Sequence, residues 1–321
     1  MKESKNLFTC TLSKEQIQKF LFLLKDSGSV VTELIPYALY ALRMENTSVT
    51  LYTSGKLVIQ GKGTSEFVET FLIPHIIGEN SGESFLIKPD YSPHIGIDES
   101  GKGDFFGPLC IAGVYVNREI IKHWEKSGIQ DSKNIKSDKK ITELAHLICT
   151  TPGVVQNIVT IGNEAYNRLH EKMKSVNKIL AWGHARIIEN LLIHSYQMNP
   201  LPEKAISDQF SNTKSTIEKA LMSLGKNLLL EQMHKAEADI AVAAASILAR
   251  NEFVKRLTQM CTQYGITFPR GSTSVIDTGK KFVNRYGKEF LPKVAKMHFR
   301  TSFTVLGLPT PPKTTWSTNS K

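Results

Sequence analysis

The stretch Gly96-Ile-Asp-Glu-Ser-Gly-Lys-Gly-Asp-Phe-Phe-Gly-Pro-Leu109 constrains this chain more than any other. One apolar run, Ile95 to Asp98, leads into it and a second, Leu109 to Val116, leads away; both read as buried strands. Gly101, Gly103 and Gly107 lie between them, so the fold must hold a glycine-rich turn between two strands. Asp98 and Glu99 sit at the C-terminal end of the first strand, where open α/β sheets place their ligands. Two adjacent carboxylates there are costly unless a cation or hydrogen-bond donors neutralise them. Neighbouring strand residues point to opposite faces. Both acids can therefore serve one site only if the chain turns at once, and Ser100-Gly101 supplies the turn. The glycines let backbone amides approach a ligand, and Lys102 adds a cation between them. Neither a P-loop nor a G-x-G-x-x-G dinucleotide fingerprint matches this spacing.

Further acids follow the same design. Asp208 closes the short apolar run Ala205-Ile-Ser-Asp, where a strand would end, although an Asp before Ser211-Asn212-Thr213 also suits a helix cap. Glu237 and Asp239 stand at the N-terminal end of an alanine-rich helix read over Ile240 to Gln263; first-turn acids commonly just compensate the helix dipole. Asp98, Glu99 and Asp208 with one of these two would make about four carboxylates, roughly what two divalent cations sharing phosphate oxygens and water require.

The remaining patterning divides the chain. Residues 1–76 read as helix, three-strand meander, helix. Ser13 to Leu24 opens with the capping pair Ser13 and Gln16; strands run over Ala38 to Met44, Val49 to Tyr52 and Lys56 to Gln60; Thr64 or Ser65 caps a helix to Pro74. Residues 77–93 read as a Gly/Ser/Pro-bearing linker, 94–308 as a second domain and 309–321 as a Pro/Thr-rich flexible tail. In the second domain Val154 to Ile161 is a further strand. Helices are expected at Ile179 to His194, Thr213 to Leu224, Ile240 to Gln263 and Lys280 to Tyr286, which together point to an α/β sheet with packed helices.

Charge narrows the partner. Of a net +10, all is carried from Arg250 onward, where thirteen basic residues face three acidic ones. Such a segment fits a phosphate-backbone footprint, and equally a solvated basic surface. Cys10, Cys110, Cys149 and Cys261 are scattered, without zinc spacing, as in a reducing cytoplasmic environment. The N-terminus shows no secretory pattern and no apolar run reaches the ~18–20 residues of a membrane span.

Taken together, GIDESGKGDFFGPL, the Asp131-Ser-Lys133 triplet, SDQF, KAE…AVAAASILAR and the closing Lys296-Met-His-Phe299 resemble bacterial ribonuclease HIII, a relative of ribonuclease HII. Phe268-Pro-Arg-Gly-Ser, in place of a histidine-bearing segment, favours HIII over HII. The resemblance implies an RNase H-like catalytic domain, a central mixed sheet with packed helices, preceded by a small α+β TBP-like substrate-binding domain. It implies a cytoplasmic, monomeric endoribonuclease that cuts the RNA strand of RNA–DNA hybrids or ribonucleotide-containing duplexes. Asp98, Glu99, Asp208 and Glu237 would hold two Mg²⁺ or Mn²⁺ ions, with Asp239 the alternative fourth acid. Gly101, Lys102, Gly103 and Lys133 would bind substrate. Tyr37, Tyr40 and Tyr52 are candidates for contact with sugars or bases, and equally for core positions. His298 is read as a packed residue outside the catalytic set. A non-catalytic nucleic-acid binder and a DNA-only nuclease of the same fold are the competing readings.

Overall fold

A computed structural model describes residues 7–25, 35–77, 90–208, 220–221, 223–233 and 236–310. The expected helix over Thr213 to Leu224 falls largely outside the described residues, as do most of the linker and the tail from Pro311. The chain divides into two compact units, residues 1–88 and 89–321.

In the first unit, β1 (Leu7–Thr11), α1 (Lys14–Lys25), β2 (Ala38–Arg43), β3 (Ser48–Tyr52) and β4 (Lys56–Gln60) precede α2 (Thr64–Phe67). A π-helical stretch, Val68–Ile77, continues α2 through Pro74. The strands form an antiparallel sheet in the order β1-β4-β3-β2. The expected meander is present, but the sheet has four strands. Leu7–Thr11 alternates outward and inward and pairs in register with β4, Leu7 opposite Gln60 and Thr11 opposite Lys56. The capping pair of α1 forms as expected: Ser13 N donates to Gln16 Oε1 (2.9 Å) and Gln16 N to Ser13 Oγ (3.2 Å). The expected cap of α2 does not form. Gly63 occupies the cap position, and the Thr64 hydroxyl donates back to the Gly61 carbonyl at 2.7 Å. Phe20, Val49, Leu51, Leu57, Ile59 and Leu72 make the core between the sheet and the helices.

The second unit holds a five-stranded mixed sheet in the order β7-β6-β5-β8-β9. Its strands are β5 (His94–Ser100), β6 (Leu109–Val116), β7 (Val155–Ile161), β8 (Lys204–Asp208) and β9 (Leu229–Met233). The β5–β6 and β6–β7 pairs are antiparallel; β8 joins β5 in parallel and β9 joins β8 in parallel. Helices α3 (Arg118–Trp124), α4 (Asp138–Thr150), α5 (Asn163–Met173), α6 (Val176–Ile193) and α7 (Ile240–Tyr264) pack on it. After α7 come α8 (Ile276–Tyr286), α9 (Leu291–Val294) and α10 (Thr301–Leu306). One face of the sheet meets α5 and α6 through Ile95, Ile97, Ile111 and Tyr115 against Ile187, Ile188 and Leu191. The other meets α3, α4 and α7 through Ala112, Val114 and Val116 against Trp124, Ile141 and the alanines of α7.

The alanine run has a geometric role. A Cβ on Gly96 would lie 2.2 Å from the backbone of Ala241 and Val242, so β5 and the start of α7 touch main chain to main chain. Burial on both faces matches the continuous apolar run of β6; β5 is buried from His94 to Asp98 although only Ile95 and Ile97 carry apolar side chains.

Candidate active site

The alternation of β5 sorts its side chains. Ile95 and Ile97 enter the core beneath α6, so Glu99 lies on that face. His94, Gly96 and Asp98 face α7, where they meet Asp239, Ala241 and Ser246 in turn. The chain does not turn immediately after Asp98: Glu99 and Ser100 remain paired with Ile111 and Cys110, and the bend comes at Gly101 (φ 91°). Asp98 and Glu99 thus leave the strand on opposite faces while sharing its end.

On the α7 side, Asp98 is buried, and burial together with the Glu99 charge pushes its carboxyl up to about 7. Ser246, the one hydroxyl in the alanine run, lies beside Asp98 and holds its pKa down against burial, donates to Asp131 Oδ1 (3.2 Å) and meets the Ser132 hydroxyl at 2.7 Å. Arg250, one turn further along α7, donates to the carbonyls of Ser132 and Ile135, the latter at 2.8 Å, and to Asp138 Oδ1 at 3.1 Å. The Asp131-Ser132-Lys133 turn is therefore fastened to the helix behind Asp98, and it presents an exposed ammonium. Partial burial lowers the Lys133 pKa, but the fields of Asp131, Asp98, Glu237 and Asp208 outweigh it and raise it. The ammonium lies 4.0 Å from Asp131 Oδ2 and within the electrostatic reach of acids from β5, the end of β8 and the approach to α7.

On the α6 side, His184 Nε2 lies 3.2 Å from Glu99 Oε2, and Lys102 Nζ lies 3.5 Å from Oε1. Burial pushes the Glu99 carboxyl up, yet the hydrogen bond and charge of His184, with Lys102, win and hold it below the usual range. The two neighbouring acids are consequently inequivalent: Glu99 is held below the usual range, while burial and the Glu99 charge raise Asp98.

Glu237 and Asp239 separate by role. Asp239 caps α7, Oδ1 accepting from Ala241 N (2.9 Å) and Val242 N (3.0 Å), while Oδ2 meets His94 Nε2 at 3.0 Å. Glu237 lies in the 3₁₀ turn Ala236–Ala238 just before the helix, within the field felt by Lys133. Helix capping and the His94 contact occupy both Asp239 oxygens, whereas Glu237 acts on the Lys133 ammonium. His298 stacks on His170 with ring centroids 4.7 Å apart. Burial, His170 and Lys296 push its pKa down to about 4, as for a packed neutral imidazole.

The glycine turn is rigidly built. A Cβ on Gly101 would fall 2.2 Å from the Pro108 carbonyl and against the Phe253 ring, so only glycine fits this closure. Asp104 Oδ1 accepts from Gly271 N at 2.6 Å, and Phe105 N donates to the Gly271 carbonyl at 2.8 Å.

This architecture has known counterparts. The ribonuclease HII family profile matches residues 95–302, and a domain of unknown function (DUF3378) matches residues 8–82. Ribonuclease HIII of Protochlamydia amoebophila is 41% identical over 302 residues, covering 94% of this chain and 97% of its own. That of Chlamydia pneumoniae is 43% identical over 267 residues, with 82% and 86% covered. This chain belongs to the ribonuclease HIII family. Among solved structures, Bst-RNase HIII in complex with Mn²⁺ superposes with a TM-score of 0.63 at 25% identity, covering 94% of this chain and 98% of the other. The small sheet-and-helix unit followed by a mixed-sheet catalytic unit is thus the ribonuclease HIII arrangement, and the protein is a nuclease of that family.

The donor set suits a hard divalent cation: carboxylate oxygens from separate elements, one of them raised by burial and by the neighbouring Glu99 charge, both of which a cation would offset. Among the described residues no three His, Cys, Asp or Glu side chains form a single closed cage. An ion here would take the rest of its coordination from water and phosphate oxygens. Sequence reasoning missed three supporting residues. Ser246 was visible as the lone hydroxyl of the alanine run and Arg250 as its closing cation. Nothing local in the sequence marks His184, which reaches Glu99 only through packing of α6 on the sheet.

Proposed function

We propose that this protein is an endoribonuclease that cleaves the RNA strand of RNA–DNA hybrids by two-metal-ion hydrolysis, leaving 5′-phosphate and 3′-hydroxyl ends. The observation that carries the reading is the placing of Asp98 and Glu99 on opposite faces of one strand end, with Asp98, Asp208 and Glu237 all within the electrostatic reach of the Lys133 ammonium. Asp98, Glu99, Asp208 and Glu237 would hold two Mg²⁺ or Mn²⁺ ions, which supply Lewis-acid stabilisation of the leaving oxygen and a water of lowered pKa. The chain's own residues do the rest. His184 and Lys102 keep Glu99 ionised at neutral pH. Ser246 holds Asp98 and the Asp131 turn in register, so that the Lys133 ammonium can meet a substrate phosphate. The backbone of Gly101-Lys102-Gly103 faces the sugar beside the scissile phosphate, where the 2′-hydroxyl distinguishes RNA from DNA. A Cβ on Gly103 would meet nothing within 4 Å, so the turn is open to a ligand at that residue, while Gly101 is closed against Pro108 and Phe253.

The first unit, read as TBP-like, would grip the duplex through the sheet face away from its helices. Arg43, Thr50, Tyr52 and Gln60 line a shallow cavity there of about 320 Å³. Tyr37 is exposed, whereas Tyr40 packs edge-on against buried Phe20 and belongs to the core side. The enzyme is expected to act as a cytoplasmic monomer; no helix among the described residues is long and apolar enough to cross a membrane.

The test is cleavage of a labelled RNA–DNA hybrid and of the matching DNA duplex, in Mg²⁺, in Mn²⁺ and in EDTA, by wild type and Asp98→Asn. Metal-dependent cutting of the RNA strand alone, lost in the variant, is the expected result. Binding without cutting in either metal would leave a nucleic-acid-binding protein, and cutting of the DNA duplex would assign a different substrate.

A further inference from the structure

Lys296 has no exposed surface and, among the described residues, no carboxylate within ion-pairing distance of its Nζ; burial lowers its pKa to about 7, and the Asp104 charge opposes the fall. Its Nζ donates to the carbonyls of Asp104 (2.9 Å) and Gly107 (2.6 Å) and lies 5.7 Å from the centre of the Tyr166 ring. Burying an ammonium is costly, and a Met or Leu would fill the same volume without that cost. What the ammonium does that an apolar chain could not is tie two carbonyls, three residues apart, to one point.

Those carbonyls belong to the turn that begins at Gly101 and closes at Pro108. The backbone around Lys296 reinforces the tie: its own N–H donates to the Phe105 carbonyl (2.8 Å), Gly107 N to the Val294 carbonyl (3.1 Å), and Phe106 bridges to Ala295. Asn163 Nδ2 shares the Gly107 carbonyl at 2.8 Å. From the opposite side Asp104 is held by Gly271, so the far half of the turn is fixed at both edges while Gly103 stays open. Phe105 and Phe106 alone would anchor the turn by apolar burial, which fixes depth but leaves carbonyl orientation free. Charge-assisted hydrogen bonds fix orientation.

We propose that Lys296 is a positioning residue for hydrolysis, whose ammonium sets the orientation of the 101–108 turn and so of the backbone groups that meet the ribose. This rests on the reading of that turn given under Proposed function. Lys296 touches neither the carboxylates nor the open part of the turn, so it acts through Asp104 and Gly107 alone.

The experiment compares full-length wild type, Lys296→Met and Lys296→Arg. Amide hydrogen exchange over residues 101–108, without substrate or metal, tests the tie independently of any activity. Steady-state cleavage of an RNA–DNA hybrid, with kcat and KM resolved, tests its consequence. Thermal melting of each variant sets the folded fraction. Lys296→Met is expected to lose protection in residues 101–108 at a temperature where the β5–β6 amides remain protected. It should lower kcat by roughly 10- to 100-fold with KM within about twofold, because misplacement of the order of an ångström at a reacting centre costs up to about that much. Lys296→Arg, which keeps donors and charge, should recover most of both. If protection is unchanged in a folded Lys296→Met, or if its kcat matches wild type, the proposal is wrong. Loss of kcat that follows only the unfolded fraction, without Arg rescue, also overturns it in favour of a purely structural lysine. A wild type that cuts no hybrid refutes the functional reading while leaving the exchange result to judge the tie.

Discussion

The main-chain contact between β5 and α7 gives a prediction whose size follows from one distance. Gly96 lies on the α7 face of β5, between His94 and Asp98, and a Cβ there would stand 2.2 Å from the backbone of Ala241 and Val242. Ordinary contact begins at 3.4 Å, so Gly96→Ala must open the interface by about 1.2 Å, the difference between the two distances. No flexible side chain can yield, because the obstructing atoms are helix backbone. Overpacking of this kind costs about 1–3 kcal/mol. For a unit of this size roughly 2 kcal/mol corresponds to about 4–8 °C in Tm. The same displacement moves Ser246 away from Asp98 and the Asp131 turn, and about 1 Å of misplacement can cost up to 10²-fold in rate.

The assay is a thermal melt beside hybrid cleavage at a temperature where both proteins are fully folded. Gly103→Ala is the control for stability, since its new methyl group meets nothing within 4 Å. Gly96→Ala is expected to melt several degrees below wild type and to cut far more slowly, while Gly103→Ala melts with wild type. A Gly96→Ala protein that melts within about 1 °C of wild type, against the cost expected for overpacking, would refute the claim that main-chain contact between β5 and α7 sets the site.

Other outcomes follow from the same geometry. Because the folded Asp98 carboxyl is raised to about 7 from 3.8, the native state holds an extra proton between those values; metal-free wild type should lose stability as pH rises from about 4 to 7. Asp98→Asn should flatten that slope and abolish cleavage, and a melt series against pH with EDTA checks it. His94 has a carbonyl at Nδ1 (Ser92, 2.6 Å) and a carboxylate at Nε2 (Asp239, 3.0 Å), an arrangement fully served only by the doubly protonated ring. Burial lowers its pKa, but Asp239 and Ser92 outweigh that and raise it above 6.5. Its stabilisation is therefore full below about 6.5 and lost as pH climbs through the folded value, which an NMR titration of the ring would show. Asp239→Ala should cost about 0.5–2 kcal/mol through the lost helix cap yet retain measurable cleavage, whereas Glu237→Gln should melt near wild type and be inactive. The reverse pattern would make Asp239 the fourth acid.

What the sequence disclosed, and what it withheld, divides along local and non-local lines. The strand–glycine–strand frame, the capping pair at Ser13 and Gln16 and the span of α7 were legible because each is fixed by residues near in sequence. The first strand, Leu7–Thr11, was not, because its pairing with Lys56–Gln60 lies some fifty residues away and five residues of alternation are a weak signal alone. The same division runs through the site. Asp98 and Glu99 could be found from their place at a strand end, but not that β5 runs on to Ser100 and sends them to different faces. That follows from Glu99 and Ser100 finding partners on β6, and it decides the chemistry. A pair on one face would share one environment and be two similar ligands. A pair split across the sheet meets a hydroxyl and a lysine on one side and an imidazole on the other. Two adjacent acids therefore acquire opposite pKa shifts without any difference in their immediate sequence.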